Sequence, residues 1–296
     1  MKLTSLEKSV LLTVSYPDQF SYPLTEDEVW KRLIGRVGKW WQILVKKPTK
    51  KQFKVILKRL VRKHILETDQ TYFWLAGRSF VVDRRQRRRR ISQTKWQEVE
   101  SVVAFAQKIP WISAVYVTGS LAMQNADTDD DTDFMIITQP DRLWLTRLVM
   151  SLFAMSRGKR RSWQGEEKRS WCLNLWLEET CLGIFNEEPS IYRAYELVQA
   201  RCVFDRAQIE EKIQKMTDWV PEFLPTIKWQ KGRVVDRRQP ASGWVTKLNK
   251  LAFEFQYWYM MRHMTRERVT YCYAFFHPRD TQRSIVDGWA KSLAEL

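Results

Sequence analysis

Two aspartates lie two positions apart at the start of an apolar run, and of all the residues in this chain they give the most specific indication of a chemical function. Asp131 and Asp133 precede the segment 134–138, whose apolar residues predict a buried strand. Side chains two apart on a strand point to the same side, so we expect the two carboxylates to lie together. Such a pair is costly unless a cation lies between its charges, and hard divalent cations prefer oxygen ligands. The pair therefore predicts a catalytic site that binds Mg²⁺ (or Mn²⁺) through Asp131 and Asp133.

A glycine–serine pair ends the apolar segment 112–118, and ten residues separate it from Asp131. Gly119 allows the backbone to approach a triphosphate closely, and Ser120 offers a hydroxyl and an N–H to its oxygens. Paired metal ions beside such a turn activate an attacking hydroxyl and neutralise a leaving pyrophosphate. We therefore predict that Gly119 and Ser120 bind a nucleoside triphosphate (NTP). The alternative is that the acidic residues of 127–133 form a solvated turn.

This order of motifs resembles a known superfamily. Gly-Ser, a gap of about ten residues and Asp-x-Asp between apolar strands is similar to the signature of the DNA polymerase β-like nucleotidyltransferases. That superfamily includes CCA-adding enzymes, poly(A) polymerases, antibiotic nucleotidyltransferases and toxin–antitoxin-type transferases. The resemblance covers 112–138 closely and 95–180 loosely. It implies an α/β (α+β) nucleotidyltransferase core with a mixed sheet, and magnesium-dependent transfer of a nucleoside monophosphate to a hydroxyl (EC 2.7.7-type).

The resemblance also implies a third carboxylate on a later strand. The corresponding segment, 172–177, offers Asn174 where an acidic residue is expected, and Glu178 at the strand end is the other candidate. An asparagine binds magnesium through its carbonyl but supplies no charge and cannot act as a general base. Asn174 as an ordinary hydrogen-bonded strand residue remains the alternative.

The N-terminal segment 1–78 resembles a winged helix-turn-helix domain. We predict helices over 3–15 and 26–34, a third helix after Pro48, and then a hairpin about Asp69 and Gln70. Thr25 is predicted to cap the second helix, with Glu28 three residues on reaching back to the cap. The third helix is strongly basic, and its nucleic-acid-binding candidates are Lys54, Lys58 and Arg62. The alternative is the solvated face of a domain that docks to proteins.

One long helix is predicted over 79–110, and it begins with an arginine run. Because like charges repel unless anions lie nearby, the run adds further nucleic-acid-binding candidates, namely Arg87, Arg88, Arg89 and Arg90. Pairing with acidic residues elsewhere in the chain is the alternative. We expect a nucleotidyltransferase core over 79–185, which includes this helix, and an all-helical C-terminal domain over 186–296. The aromatic stretch 253–259 has helical spacing and predicts core packing, with base stacking as the alternative.

The composition of the chain indicates its kind of binding partner and its cellular compartment. The net charge of +16 favours a nucleic acid or a nucleotide as partner, although basic solubilising faces give the same charge. The order of a winged-helix-like domain, a basic helix, a transferase core and a helical tail favours RNA over DNA. The N-terminus lacks the layout of a signal peptide, and the apolar run 143–155 is too short to span a bilayer. The four scattered cysteines do not have zinc-ligand spacing. We therefore expect no membrane partner, reduced cysteines and a cytoplasmic protein.

The sequence thus leads to one main functional hypothesis and two alternatives. The main one is a nucleotidyltransferase whose acceptor is a hydroxyl of a nucleic acid such as a tRNA-like RNA. In the first alternative, a catalytically degenerate protein of the same fold binds nucleic acid or senses a nucleotide as a regulator. In the second, a toxin- or antitoxin-type transferase modifies tRNA or a protein.

Overall fold

The N-terminal part of the chain folds into three helices and a small sheet. The computed structural model describes residues 3–37, 43–160, 169–232, 243–262, 264–265, 267–276 and 281–294. The elements up to residue 75 are α1 (Ser5–Asp18), β1 (Leu24–Thr25), α2 (Glu26–Lys31), β2 (Arg36–Val37), β3 (Ile43–Leu44), α3 (Lys50–Arg62), β4 (Leu66–Thr68) and β5 (Tyr72–Leu75). Among these, β1, β5 and β4 form an antiparallel sheet in that order.

The three N-terminal helices begin in the same way. Threonines at 4, 25 and 49 cap α1, α2 and α3, and the residue three positions on (Glu7, Glu28 or Gln52) reaches back to the cap. The start at Thr25 confirms the sequence prediction. The helices pack on the small sheet through a shared apolar core that includes Val10, Leu57 and Leu66.

The rest of the chain is built around a larger mixed sheet. Its elements are α4 (Phe80–Ala106), β6 (Ile112–Val117), α5 (Gly119–Ala122), β7 (Thr132–Thr138), α6 (Leu143–Ser156), β8 (Trp171–Glu178), a 3₁₀ helix (Glu179–Asn186), α7 (Ile191–Gln199), β9 (Arg201–Asp205), α8 (Ile209–Met216), α9 (Val220–Phe223), α10 (Gly243–Met261), β10 (Arg268–Val269), β11 (Tyr273–Phe275) and α11 (Thr281–Ala294). Within the described residues this sheet has six strands, in the order β10-β11-β8-β7-β6-β9. Only the β7–β8 pair among them is parallel, and α6 makes the crossover that a parallel pair requires.

Both faces of the sheet are covered, which explains why every residue of β6 is buried. Val115 and Val117 face the layer formed by α4, α6 and α10. Ala114 and Tyr116 point to the other face, where the 3₁₀ helix and α8 pack. Alternation along β7 places Met135 and Ile137 on this second face.

The prediction of an all-helical segment after residue 186 is wrong. β9 pairs with β6, and β11 pairs with β8, so the C-terminal part supplies strands to the central sheet. These strands have five residues or fewer and are flanked by strong helical patterns, so hydrophobic periodicity does not identify them. The sheet therefore crosses the domain boundary predicted after residue 185.

The expectation that all four cysteines are reduced is also wrong. Cys181, in the 3₁₀ helix, and Cys272, beside β11, form a disulfide although 91 positions separate them in the sequence. Cys172 and Cys202 are not disulfide-bonded. In the described part of the chain, no helix is long and apolar enough to cross a bilayer.

Candidate active site

The apolar segments before and after the two motifs form paired strands. β6 and β7 pair antiparallel from Ile112 opposite Thr138 to Val117 opposite Phe134. One further hydrogen bond, from the Thr118 N–H to the Asp133 carbonyl (3.0 Å), continues the ladder. The chain then turns into α5 at Gly119. This ladder places the start of β7 directly beside the glycine–serine turn.

Gly119 and the Asp133 carboxylate are in very close contact. Gly119 has a φ of +64°, and a Cβ at this position would lie 2.5 Å from Asp133 Oδ2. Any other residue would clash with the carboxylate and would also adopt an unfavourable backbone conformation. Both the left-handed turn and the proximity of the carboxylate therefore require a glycine here.

Asp131 is fixed by the strand next to it. The N–H and the hydroxyl of Ser170 both donate to Asp131 Oδ1, at 2.9 and 2.8 Å. Ser170 immediately precedes β8, and its carbonyl accepts from the Thr132 N–H at 2.9 Å. Asp131 and Asp133 are therefore held at the same end of the β7–β8 pair.

The Ser120 hydroxyl contacts a carboxylate of the loop that follows it. Its hydroxyl donates to Asp130 Oδ2 (2.9 Å), which also accepts from the Asp127 N–H (2.9 Å). The Lys95 ammonium donates to the Asp130 carbonyl. In this structure the Ser120 hydroxyl therefore fixes the loop between β6 and β7, and a phosphate would have to compete with Asp130 for it.

Asn174 lies at the position that the resemblance assigns to the third carboxylate. The register between β7 and β8 shifts between Phe134 and Met135, and Asn174 is the extra residue on β8. Its side chain is buried, and Nδ2 donates to Asp133 Oδ1 (3.0 Å). Its Oδ1 is buried and has no hydrogen-bond partner among the described residues.

Glu178, the other candidate, is not part of this site. It lies opposite Thr138 at the far end of the β7–β8 pair, whereas Asp133 lies opposite Cys172. Five residues along β7 correspond to about 17 Å. Its Oε1 accepts from the N–H groups of Arg142 and Leu143 at the start of α6 (3.2 and 3.4 Å). Burial raises the pKa of Glu178 to about 7.

A third carboxylate approaches Asp133 from a helix that we had not considered for this role. Burial, together with the negative charge of Asp133, raises the pKa of Glu196 on α7 to about 7. Gln199 Nε2 donates to Glu196 Oε1 at 2.8 Å. α7 reaches the site because β9, which follows it, pairs with β6 and places Arg201 opposite Val117. This neighbourhood depends on a strand that the sequence did not reveal.

The donors at this end of the sheet are of the chemical type that a hard divalent cation prefers. Asp131 and Asp133 supply carboxylate oxygens, and the buried, unpartnered Oδ1 of Asn174 supplies a neutral one. Within the described residues, no three His, Cys, Asp or Glu side chains form a ready-made metal site. A magnesium ion held by these groups would therefore take its remaining ligands from substrate oxygens and water.

The candidate residues of α3 form an exposed basic surface. Lys54 pairs with Glu26 (2.9 Å), whereas Lys58 and Arg62 are exposed and have no ion-pair partner in the described part of the chain. Arg59 and Lys63, on another side of the helix, pair with Glu7 at 3.9 and 2.8 Å. The hydrogen bond from Lys63 lowers the pKa of Glu7 to about 2. α3 therefore carries two kinds of basic residue: those paired with acidic residues of the protein, and Lys58 and Arg62, which are exposed to solvent.

The arginine run of α4 is divided in the same way. Arg87 and Arg88 lie 3.5 and 3.6 Å from Asp127, and Arg88 also donates to the Phe20 carbonyl. Arg89 and Arg90 are exposed, without an ion-pair partner in the described ranges. Pairing with acidic residues elsewhere, one of the two alternatives, thus applies to Arg87 and Arg88.

Arg85, which we had not singled out, is buried and has a structural environment. It donates to both carboxylate oxygens of Glu28, each at 2.9 Å, and its guanidinium lies between the rings of Tyr22 and Tyr72. It thereby connects α4 to the N-terminal part of the chain.

No protein-family model, curated protein or solved structure matches this chain.

Proposed function

We propose that this chain is a metal-dependent nucleotidyltransferase. The observation that carries the proposal is the contact between Gly119 and Asp133, with Asp131 fixed at the same end of β7. A left-handed glycine turn against a pair of carboxylates is the arrangement that brings a triphosphate and divalent cations together. It also accounts for the acidic residues better than a solvated turn does, because Asp131 and Asp133 are held by defined donors.

The proposed reaction transfers a nucleoside monophosphate from an NTP to an acceptor hydroxyl. The hydroxyl oxygen forms a bond to the α-phosphorus as its proton passes to a carboxylate base, the bond from that phosphorus to the bridging oxygen of the β-phosphate breaks, and pyrophosphate leaves with the electron pair of that bond. Magnesium or manganese ions supply charge neutralisation and a more acidic acceptor hydroxyl when bound. Asp131 and Asp133 orient the reacting groups, and Asn174 holds Asp133 in place through its amide.

Glu196 compensates for the missing acid on β8. Asn174 supplies no negative charge, and the carboxylate of Glu196 lies close enough to Asp133 to be affected by its charge. A pKa of about 7 suits a group that accepts a proton at neutral pH. We assign the third acidic role to Glu196, and to neither Asn174 nor Glu178.

A nucleic acid, RNA before DNA, is the proposed acceptor. The element order α1-β1-α2-β2-β3-α3-β4-β5, in which β2 and β3 form a separate hairpin, and the sheet order β1-β5-β4 support a winged helix-turn-helix fold for the N-terminal part. In that fold the third helix faces the nucleic acid, and here it carries the exposed Lys58 and Arg62. The net charge of +16 supports a polyanionic acceptor.

Label transfer tests the enzymatic part of the proposal. The purified chain, magnesium and an α-³²P-labelled NTP are incubated with tRNA, other RNA and single-stranded DNA. We expect labelled acceptor, and we expect the double variant Asp131→Ala with Asp133→Ala to lose the transfer. Asp129→Asn, which removes a charge from the same loop outside β7, is the matched control and should retain it. Transfer by the double variant at the wild-type rate would refute the site.

A second candidate function is favoured by the buried Asn174. With an amide at the β8 position, the site would bind an NTP without turnover, and the chain would act as a nucleotide-sensing, nucleic-acid-binding regulator. Isothermal titration calorimetry separates the two. Magnesium-dependent NTP binding without label transfer to any acceptor would favour the regulator, whereas binding with transfer would favour the enzyme.

A further inference from the structure

α10 exposes a continuous apolar stripe. Its members are Trp244, Leu248, Leu251, Phe255 and Trp258, and their exposure ranges from 43% to 67%. The spacing alternates between four and three residues, which is the repeat of helices that pack against other helices. The stripe is about 21 Å long at the rise of an α-helix. The sequence predicted core packing for 253–259, but Phe255 and Trp258 are on the surface.

The opposite side of α10 is hydrogen-bonded to the rest of the protein, so the helix cannot rotate about its axis to bury the stripe. Asn249 Oδ1 accepts from the Leu145 N–H (3.0 Å), and Asn249 Nδ2 donates to the Tyr271 hydroxyl (3.0 Å). Gln256 Nε2 donates to the Trp144 carbonyl (2.8 Å). Turning the helix inward would leave these buried amides without partners, which is costly. The stripe therefore stays on the outside.

The charges beside the stripe point to its occupant. Lys247 and Glu254 lie seven residues apart, at equivalent positions along one flank, and carry opposite charges. Within the chain Glu254 also lies 4.0 Å from Lys250, in an exposed pair that still leaves its carboxylate accessible to a second copy. In an antiparallel pair of identical helices, Lys247 of each copy lies near Glu254 of the other. The same register places Leu248 against Leu251 of the second copy and Trp244 against Phe255. The stripe is thus complementary to itself about a two-fold axis.

We propose that α10 is the dimer interface of this protein, with a second copy of the chain packed antiparallel against the stripe. The net charge of +16 on each copy opposes association, so the apolar contacts must outweigh this repulsion. Salt screens the repulsion, and the dimer therefore persists at high ionic strength.

Sedimentation velocity on the full chain, over a concentration series, tests the proposal. We expect a dimer, and we expect Leu251→Asp at the centre of the stripe to raise the dissociation constant at least about 100-fold while the circular dichroism spectrum is unchanged. Val55→Asp, at an exposed apolar residue of α3, is the matched control and should leave the dimer intact.

A charge exchange tests the antiparallel register and does not depend on the folding of Leu251→Asp. Lys247→Glu alone and Glu254→Lys alone should each weaken the dimer, because each places like charges opposite one another, and the double exchange should restore it. A wild-type chain that stays monomeric throughout the series would overturn the proposal. So would a monomer that cosediments with phosphatidylserine vesicles only when the stripe is intact, and so would single and double exchanges of equal effect.

Discussion

Gly119 and Asp133 constrain each other at the scale of single residues. The turn at Gly119 leaves no room for a Cβ beside Asp133 Oδ2. Gly158 has nearly the same backbone conformation, with a φ of +63°, but a Cβ there would meet nothing within 4 Å. An alanine at Gly158 would therefore cost only the strain of a left-handed backbone, whereas an alanine at Gly119 would cost that strain and also displace the Asp133 carboxylate.

Gly119→Ala should lower the rate of label transfer by about 100-fold or more, because a displaced catalytic group loses that much. The left-handed backbone alone should make Gly119→Ala and Gly158→Ala lower the free energy of unfolding by similar amounts, about 1 kcal/mol each. The measurement is the transfer rate together with the free energy of unfolding of each variant. Equal transfer rates for Gly119→Ala and Gly158→Ala would show that the contact with Asp133 has no functional role.

Glu196 and Glu178 provide a second pair of residues with the same raised pKa and different surroundings. We expect Glu196→Gln to slow transfer by about 100-fold or more, the usual contribution of a positioned acid or base. Glu178→Gln should transfer at the wild-type rate, because it lies at the opposite end of β8. The reverse result, with Glu178 essential and Glu196 dispensable, would return the third acidic role to β8.

Glu178→Gln should also change how stability depends on pH. A carboxyl group whose pKa rises from its ordinary value of 4.5 to about 7 on folding binds a proton more tightly in the folded state. The free energy of unfolding therefore falls between pH 4.5 and 7, and the loss is complete above pH 7.

Glutamine at position 178 keeps the acceptor for the Arg142 and Leu143 N–H groups and removes the charge. Above pH 7 we expect the variant to be more stable by about 1–3 kcal/mol, with the difference vanishing near pH 4.5. Chemical denaturation across this range measures the difference, and a constant difference would contradict the account.

At the scale of elements, α4 connects the N-terminal part to the sheet. Arg85 donates to both oxygens of Glu28 and lies between two tyrosine rings, 4.0 Å from the Tyr22 centroid and 4.6 Å from that of Tyr72. Although burial raises the pKa of Glu28, the hydrogen bonds from Arg85 lower it to about 2. The same helix exposes Arg89 and Arg90 to solvent.

Arg85→Ala should destabilise the protein by about 3 kcal/mol, because it leaves the Glu28 carboxylate without its partner. Arg89→Ala should change stability by less than about 0.5 kcal/mol, as exposed substitutions do. Urea denaturation of the two variants measures both values. Similar values for the two variants would mean that Arg85 is not the structural link between α4 and α2.

α3 is the element through which the proposed nucleic-acid contact is made. Replacing Lys58 and Arg62 by alanine should weaken RNA binding and reduce the slope of log K against log salt by about 2, one unit for each lost phosphate contact. The control, Lys108→Ala with Arg283→Ala, removes the same charges elsewhere. Filter binding over a salt series measures the slopes, and equal slopes for the two double variants would exclude α3 from the contact.

At the scale of the whole molecule, local signals predicted local structure well. The capping threonine at 25, the hairpin about residues 69 and 70, the long α4 and the pair β6–β7 follow from patterns within a few residues. Features that join distant segments were not predictable. β9, β10 and β11 are too short for periodicity, the Cys181–Cys272 bond spans 91 residues, and Glu196 reaches the site only through β9. The buried role of Arg85 was hidden because charge runs in a sequence do not distinguish paired arginines from exposed ones.

The central claim is transfer of a nucleoside monophosphate by the Asp131 and Asp133 site. The most direct measurement compares two NTP preparations, one labelled with ³²P at the α-phosphate and the other at the γ-phosphate, in the presence of magnesium and RNA. We predict that the acceptor gains label from the α-labelled NTP alone, that γ-label appears in pyrophosphate, and that Asp131→Ala with Asp133→Ala abolishes both. Acceptor labelled from the γ-position, or α-label transferred equally by the double variant, would contradict the claim.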